Sequence, residues 1–252
     1  DFPSLPTITK GKTITLSTDL LKSSLDKTML AASSDETRPI LGGLYFHSAD
    51  GELFIAATDG YRLAEAKITD IKDDIAAVVP AAALQDALRI IQDSNDEEID
   101  LRFDEGQFGV TSNGTQLVSR LIDGQYPAYR QLIPESSEIQ FQIKRSDFLT
   151  AAKLASLFAR ESGGSITLKA SELDKTVTIS SVASQVGDNS SSIKGEVTGS
   201  GEVVVNVKYL TDALNCFDSE TVNFRFSGSI SPCVLTSDAQ PGYQHIVMPL
   251  KS

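Results

Sequence analysis

The 252-residue chain combines 40% hydrophobic with 22% charged residues and carries a formal net charge of −12. This apolar content is sufficient for a hydrophobic core, and it excludes the low hydropathy that is typical of disordered chains. The negative charge disfavours simple adhesion to nucleic acid or to an anionic membrane. Only two cysteines are present, and no apolar run approaches about 18 residues. We therefore expect a folded, cytoplasmic protein of two domains, without a signal peptide or a membrane span.

The first half of the chain predicts a strand, a helix, further strands and a second helix. From Thr15 a strand end is followed by Asp19 and an apolar helical run, and an acidic residue in a first helical turn suits the helix dipole. Residues 51–67 alternate in polarity around Asp59 and Gly60. This pattern predicts a β-hairpin with a two-residue turn. Residues 78–103 then predict the second helix and another strand.

The second half repeats this order after Pro and Ser residues interrupt the pattern at 133–137. Residues 142–154 again show a strand end, then Asp147 and a helical run. Strands are predicted at 165–169, 176–180 and 203–207. The strongest matches pair Leu84, Asp86, Ala87 and Leu88 with Leu210, Asp212, Ala213 and Leu214, and Arg102 and Phe103 with Arg225 and Phe226. We predict an α+β protein of two repeated domains, residues 1–134 and 135–252, each with antiparallel sheets covered by two helices.

Reactive groups are few. His47 and His245 are the only histidines and are predicted to be ordinary strand residues. The acidic clusters at 70–74 and 93–100 lack the glycine-punctuated spacing of a calcium loop, and no P-loop, HExxH or paired CxxC motif occurs. We expect neither catalysis, metal nor cofactor. Two alternatives remain open from these residues alone: a β-rich hydrolase domain using an acidic cluster, and a structural repeat protein.

Four segments, residues 38–46, 57–64, 123–134 and 245–250, together resemble the bacterial DNA sliding clamps, the β subunits of DNA polymerase III. The resemblance implies DNA-clamp domains whose paired helices line the inner face of a ring. It also implies a non-catalytic accessory subunit of the polymerase holoenzyme, a processivity factor that encircles duplex DNA without sequence preference. Its other partners would be the replicative polymerase, the clamp loader and repair proteins, which bind through short hydrophobic peptides.

Members of this family have three domains per subunit and close head to tail as a homodimer. Residues 1–6 resemble the segment where the family's first domain gives way to the second. We therefore expect residues 1–134 to be the middle domain and 135–252 the C-terminal domain, with the N-terminal domain absent. Because the dimer contact joins the last domain of one subunit to the first domain of the next, this chain alone is expected to be monomeric.

The resemblance also implies a peptide-binding groove between the middle and last domains. Tyr61 stands where His is frequent and Gln131 where a basic residue is common, while Lys251 and Ser252 depart from the usual ending. Each apolar member taken alone is more typical of core packing than of a binding site, although methionine adapts to several partners. The implied groove residues are Arg38, Leu41, Thr58, Gly60, Tyr61, Arg62, Leu63, Pro127, Gln131, Leu132, Asn206, Tyr209, Ile246, Met248, Pro249 and Leu250.

Cations on the predicted helices are candidates for contact with phosphate groups. A ring that encloses DNA needs only weak, sequence-independent contacts inside, and acidic outer walls would discourage binding elsewhere. Acidic neighbours such as Asp26 and Asp86 show that no continuous basic stripe exists, so each cation is also typical of a solvated helix face. The candidates are Lys22, Lys27, Arg89, Arg145, Lys153, Arg160 and Lys208.

Overall fold

A computed structural model describes residues 8, 11–92, 96–183 and 187–251. The chain divides after Pro127 into two compact units. Within these described residues, each unit contains two α-helices and two antiparallel sheets, as the α+β prediction requires. No helix among the described residues is long and apolar enough to cross a membrane.

The first unit runs strand, helix, four strands, helix and three strands. Strands β1, β6, β7 and β8 pair in that order in one antiparallel sheet, and β4, β3, β2 and β5 pair in a second. The elements are β1 (Lys12–Ser17), α1 (Thr18–Met29), β2 (Gly43–Ala49), β3 (Glu52–Thr58), β4 (Arg62–Asp70), β5 (Ala76–Pro80), α2 (Ala81–Gln92), β6 (Glu98–Phe103), β7 (Gln107–Ser112) and β8 (Thr115–Arg120), with a 3₁₀ turn at Pro39–Gly42.

The second unit repeats this order with one additional strand between its helices. Within it, β12, β11, β10 and β14 form one antiparallel sheet, and β13, β9, β15, β16 and β17 pair in that order in another. The elements are β9 (Ile139–Lys144), α3 (Arg145–Phe158), β10 (Ser165–Ser171), β11 (Thr176–Ala183), β12 (Gly187–Lys194), β13 (Glu196–Thr198), β14 (Gly201–Asn206), α4 (Val207–Asn215), β15 (Thr221–Phe226), β16 (Cys233–Thr236) and β17 (Tyr243–Val247), with 3₁₀ turns at Tyr129–Leu132 and Ala159–Ser162.

An equivalent hydrogen bond starts the first helix of each unit. The backbone N–H of Thr18 donates to the carbonyl of Glu97, and that of Arg145 donates to the carbonyl of Glu220, each at 2.9 Å. These bonds satisfy backbone donors that a helix N-terminus leaves without an intrahelical partner. Asp19 and Asp147 both lie in the first helical turn, which confirms the predicted helix starts. The repeat in the sequence is therefore also a repeat in the backbone hydrogen bonding.

Phenylalanines from the repeated strands build the core of each unit. In the first unit Phe103 packs against Phe46 and Phe108, with ring centroids 5.4 and 5.3 Å away. In the second, Phe226 lies 6.0 Å from Phe224, and all five rings are buried. Helix residues such as Leu21 and Leu84 are also buried. Burying one such side chain contributes roughly 1.5–3 kcal/mol, so this apolar packing is the main stabilising term.

Both histidines are strand residues, as predicted. His47 lies in β2, where its ring stacks on Tyr45 and Phe54 at centroid distances of 4.7 and 5.6 Å. His245 is buried in β17, and its Nδ1 lies 2.9 Å from the hydroxyl of Tyr243.

The acidic segments take part in local hydrogen bonds. Asp74 accepts a hydrogen bond from the hydroxyl of Ser48 at 3.0 Å, and Asp70 pairs with Lys67 at 3.1 Å. In the second cluster, residues 93–95 lie outside the described part of the chain. Asp96 accepts hydrogen bonds from the hydroxyl of Ser112 and the backbone of Asn113. Among the described residues no three His, Cys, Asp or Glu side chains are grouped to hold a metal ion.

Candidate peptide-binding surface

The hairpin between β3 and β4 presents the first group of site residues. Thr58 pairs with Leu63 in the sheet register, so four residues separate this last pair and the predicted two-residue turn is wrong. The cause is Asp59, whose Oδ1 accepts the backbone N–H groups of Tyr61 and Arg62 at 2.9 and 3.0 Å. An aspartate that bonds nearby backbone groups stabilises a longer loop in place of a tight turn.

The side chains of this hairpin are bonded to one another. Arg62 Nε lies 3.0 Å from Asp59 Oδ2, and both side chains are largely shielded. The Thr58 hydroxyl donates to the carbonyl of Arg62 at 2.6 Å and accepts the N–H of Gly60 at 3.0 Å. Gly60 has a φ of +93°, which favours glycine at this position. The loop therefore holds a fixed conformation and exposes the ring of Tyr61, which is 58% accessible.

Arg38 lies beside this hairpin. A Cβ atom built on Gly60 would be 3.2 Å from Arg38 Nη1, so the guanidinium stands against the turn. Arg38 Nε also lies 3.0 Å from Asp35 Oδ2. The pKa of Asp35 is lowered, first by hydrogen bonds from Thr37 and then by that from Arg38. Leu41 is buried, and its backbone N–H donates to the carbonyl of Arg38 at 3.0 Å.

Tyr126, which immediately precedes Pro127, is a member of this group that the sequence prediction missed. Its hydroxyl accepts the backbone N–H of Thr58 at 3.1 Å. Its ring stacks on Tyr45 at 4.8 Å with an interplanar angle of 18°. The tyrosine is 6% exposed, while Pro127 is exposed. Burial raises the pKa of Tyr126 well above its usual value, so its hydroxyl keeps its proton.

In the second unit, predicted site residues lie at the start of α4 and after β17. Asn206 caps α4, because its Oδ1 accepts the N–H of Lys208 at 2.9 Å and that of Tyr209 at 3.4 Å. The chain beyond β17 is tied to β14 by a hydrogen bond from the N–H of Leu250 to the carbonyl of Val204. Partly exposed side chains along this surface are Tyr209, Met248, Pro249 and Leu250, whereas Ile246 is buried.

Gln131 and Leu132 lie in the 3₁₀ turn that opens the second unit. Both side chains are exposed, and Leu132 is 66% accessible. A leucine this exposed offers little to the core of its own unit, and exposed apolar side chains that cluster mark interaction sites.

The helix cations differ in their surroundings. Arg145 donates to the carbonyls of Ser219 and Leu214, each at 3.3 Å. Arg89 pairs with Asp86 at 2.7 Å and Lys208 with Asp212 at 2.8 Å. Lys153 and Arg160 are exposed, and Lys22 and Lys27 are partly exposed. Arg89 and Lys208 are therefore partly neutralised by acidic neighbours.

A further exposed group lies on α3 and at the end of β11 in the second unit, and was not singled out from the sequence. Leu154, Leu157 and Val182 are 45%, 58% and 65% accessible. Ser181, next to Val182, donates its hydroxyl to the carbonyl of Ala155 at 3.0 Å, which places the end of β11 against this helix. We call these three residues the α3 apolar patch.

Two units that repeat the same order of strands and helices, with a rigid hairpin surface on the first, define a protein of the DNA-clamp class. Residues 15–128 match the family described as DNA polymerase III beta subunit, central domain, and residues 130–251 match its C-terminal domain. The chain belongs to the DNA polymerase III beta subunit family.

Individual relatives agree with this assignment. The beta sliding clamp of Staphylococcus aureus is 33% identical over 259 aligned positions that cover 100% of this chain and 67% of the relative. The sliding clamp structure of Bacillus subtilis has a TM-score of 0.93 at 29% identity, and the match covers 100% of this chain and 67% of the B. subtilis chain. A sliding clamp of C. crescentus gives a TM-score of 0.92 at 26% identity, with coverage of 100% and 68%.

Proposed function

We propose that this chain serves as a DNA sliding clamp, a processivity factor that holds its binding partners on duplex DNA. The observation that carries the proposal is the match of both units, in order, to the central and C-terminal domains of the family. The relatives named above are themselves sliding clamps. The clamp acts without catalysis of its own, as an accessory subunit of the polymerase holoenzyme.

The partners are the replicative polymerase, the clamp loader and repair proteins, which bind through short hydrophobic peptides. We propose that the predicted groove residues bind these peptides. The support is the mixed character of the predicted set: it contains apolar side chains, Leu132 and Met248 among them, and polar ones such as Arg62 and Tyr209. A few apolar anchors surrounded by polar groups are typical of peptide hot spots.

The experiment is a titration of a labelled peptide of the type Gln-Leu-x-Leu-Phe, followed by fluorescence anisotropy. We expect saturable binding to the wild-type chain. Met248→Ala and Leu63→Ala should each weaken it about tenfold or more, which corresponds to ~1.4 kcal/mol. Ile230→Ala is a matched control, because Ile230 is 75% exposed and outside the predicted surface. Equal binding by all four proteins would refute the assignment of the groove.

DNA is held by enclosure and not by a basic surface. The net charge of −12 supports this view, since a protein that bound by charge would carry an excess of cations. The helix cations would supply weak contacts to the phosphates, and Arg89, Lys153, Arg160 and Lys208 are exposed. Such contacts are independent of sequence and permit sliding.

We also propose the domain assignment made from the sequence, with residues 1–134 as the middle domain and 135–252 as the C-terminal domain. The chain spans about two thirds of the S. aureus clamp. In complete clamps the α3 apolar patch would meet the first domain of the neighbouring subunit in a head-to-tail homodimer. Its exposed leucines support this role. By itself, the present chain would be a monomer.

A further inference from the structure

The hairpin that presents Tyr61 is anchored by a residue distant in the chain. Strand β3 ends at Thr58, whose backbone N–H donates to the hydroxyl of Tyr126, 68 residues later, at 3.1 Å. Thr58 is 9% exposed and Tyr126 6%. A hydrogen bond so well shielded from water is costly to leave unmade.

Thr58 connects the Tyr126 hydroxyl to the rest of the loop through its own side-chain hydrogen bonds. Its side chain accepts the N–H of Gly60 and donates to the carbonyl of Arg62. The carboxylate of Asp59 holds the two backbone amides that follow Gly60. Thr58 makes two of these bonds and directly precedes Asp59, which makes the other two, so a displaced Thr58 would displace the loop.

Tyr126 itself has little freedom to move. Its ring lies nearly parallel to that of Tyr45 at 4.8 Å, and Tyr45 stacks in turn on His47 at 4.7 Å. Such aromatic pairs contribute beyond their buried area. The two stacked neighbours both belong to β2, a strand in the interior of the sheet formed by β4, β3, β2 and β5. The hydroxyl is therefore fixed relative to the sheet and serves as a rigid support.

We propose that Tyr126 is a positioning residue that sets the conformation of the peptide-binding hairpin. The inference rests on the proposed function, because it assigns to Tyr126 a share of the affinity for clamp-binding peptides. Tyr126 also directly precedes Pro127, a second predicted site residue. Fixing a loop in its binding conformation raises affinity, because less ordering remains for the binding step.

The test compares Tyr126→Phe with wild type. The variant keeps the ring and its stacking but lacks the hydroxyl. We expect peptide affinity to fall about fivefold, which corresponds to ~1 kcal/mol. Hydrogen exchange at the Thr58 and Gly60 amides should accelerate about tenfold, while exchange at Leu84 and Leu88 in α2 stays unchanged and shows that the unit remains folded. Tyr45→Phe, which loses a hydroxyl from the same stack, should leave both measurements unchanged.

A double-mutant cycle separates positioning from a general loss of stability. Tyr61→Ala removes the exposed ring that the hairpin presents. If Tyr126 acts through the hairpin, Tyr126→Phe should weaken binding less in the Tyr61→Ala background than in wild type. Additive effects, or unchanged affinity and unchanged Thr58 exchange in Tyr126→Phe, would overturn the inference. Failure of the wild-type chain to bind the peptide would instead overturn the proposed function, and the inference with it.

Discussion

The guanidinium of Arg62 and the carboxylate of Asp59 form an ion pair of 3.0 Å within one hairpin, with only 11% and 16% of their side chains accessible. Asp59 uses its other oxygen for the backbone amides of Tyr61 and Arg62. One carboxylate thus fixes both the loop and the orientation of a predicted site arginine.

Replacing Asp59 by Ala should therefore lower both stability and peptide affinity. The change removes the carboxylate that bonds a shielded guanidinium and two backbone amides, at a cost of about 1–3 kcal/mol. Thermal unfolding and the anisotropy titration measure the two effects. Asp59→Asn retains a carbonyl oxygen for the amides, so we expect a smaller loss of stability. If the alanine variant unfolded and bound peptide like wild type, the carboxylate would have no organising role.

Arg145 should affect stability more than DNA binding. Its side chain donates to the carbonyls of Leu214 and Ser219, so Arg145→Ala should reduce the free energy of unfolding by about 1 kcal/mol. Lys153→Ala on the same helix should change it by less than about 0.5 kcal/mol, since Lys153 is exposed. Urea denaturation measures both. A reversed order would show that the two carbonyl contacts contribute nothing to stability.

Linear duplex DNA should bind weakly and only at low salt. Contacts to phosphate release counterions, so affinity falls as the salt concentration rises. Lys153→Glu combined with Arg160→Glu should abolish the residual binding in a gel-shift assay, whereas Lys169→Glu on β10 should have little effect. Tight binding that persists at high salt would contradict the proposal that DNA is held by enclosure.

The α3 apolar patch should govern self-association and leave folding unaffected. Leu157→Glu places a charge on a side chain that is 58% accessible, so we expect the melting temperature to stay nearly constant. In sedimentation experiments the wild-type chain should be a monomer that associates weakly at high concentration. The variant should remain monomeric throughout. A stable dimer in both proteins would show that another surface mediates assembly.

Cys233 should resist thiol reagents in the folded state. Burial raises the pKa of its thiol to about 12 from an ordinary value of 9.0, and the thiolate is the reactive form. An Ellman titration at pH 8 should detect this cysteine only after denaturant is added. Fast labelling of the native chain at this position would contradict the assigned burial.

The same shift predicts a pH dependence of stability. The pKa of the Cys233 thiol is higher in the folded than in the unfolded state. The stability is therefore fully present below about pH 9 and is lost as the pH rises toward about 12. Unfolding free energies measured across this window should fall with pH, and less steeply in Cys233→Ala. Burial also raises the pKa of Tyr243, so part of the slope should persist in the variant. An equal slope in both proteins would exclude a contribution from Cys233.

Local patterns in the sequence predicted the order of elements, the helix starts at Asp19 and Asp147, and the hairpin at Gly60. They did not predict the length of that turn, because a side chain of the loop competes for its backbone amides. The roles of Arg145 and Tyr126 were also missed. Arg145 bonds to Leu214, 69 residues away, and Tyr126 bonds to Thr58, 68 residues away. Contacts over such separations become visible only when the chain is folded.

The matching bonds from Thr18 to Glu97 and from Arg145 to Glu220 make each unit self-contained at its own helix start. The second unit has an additional strand, β13, yet its hydrogen bond at the helix start has the same length. The bond at the helix start is therefore compatible with an additional strand between the two helices of a unit. A designer who wished to graft or multiply one unit would therefore have to keep the carbonyl at Glu97 or Glu220 in its place, together with the buried residues of the strands.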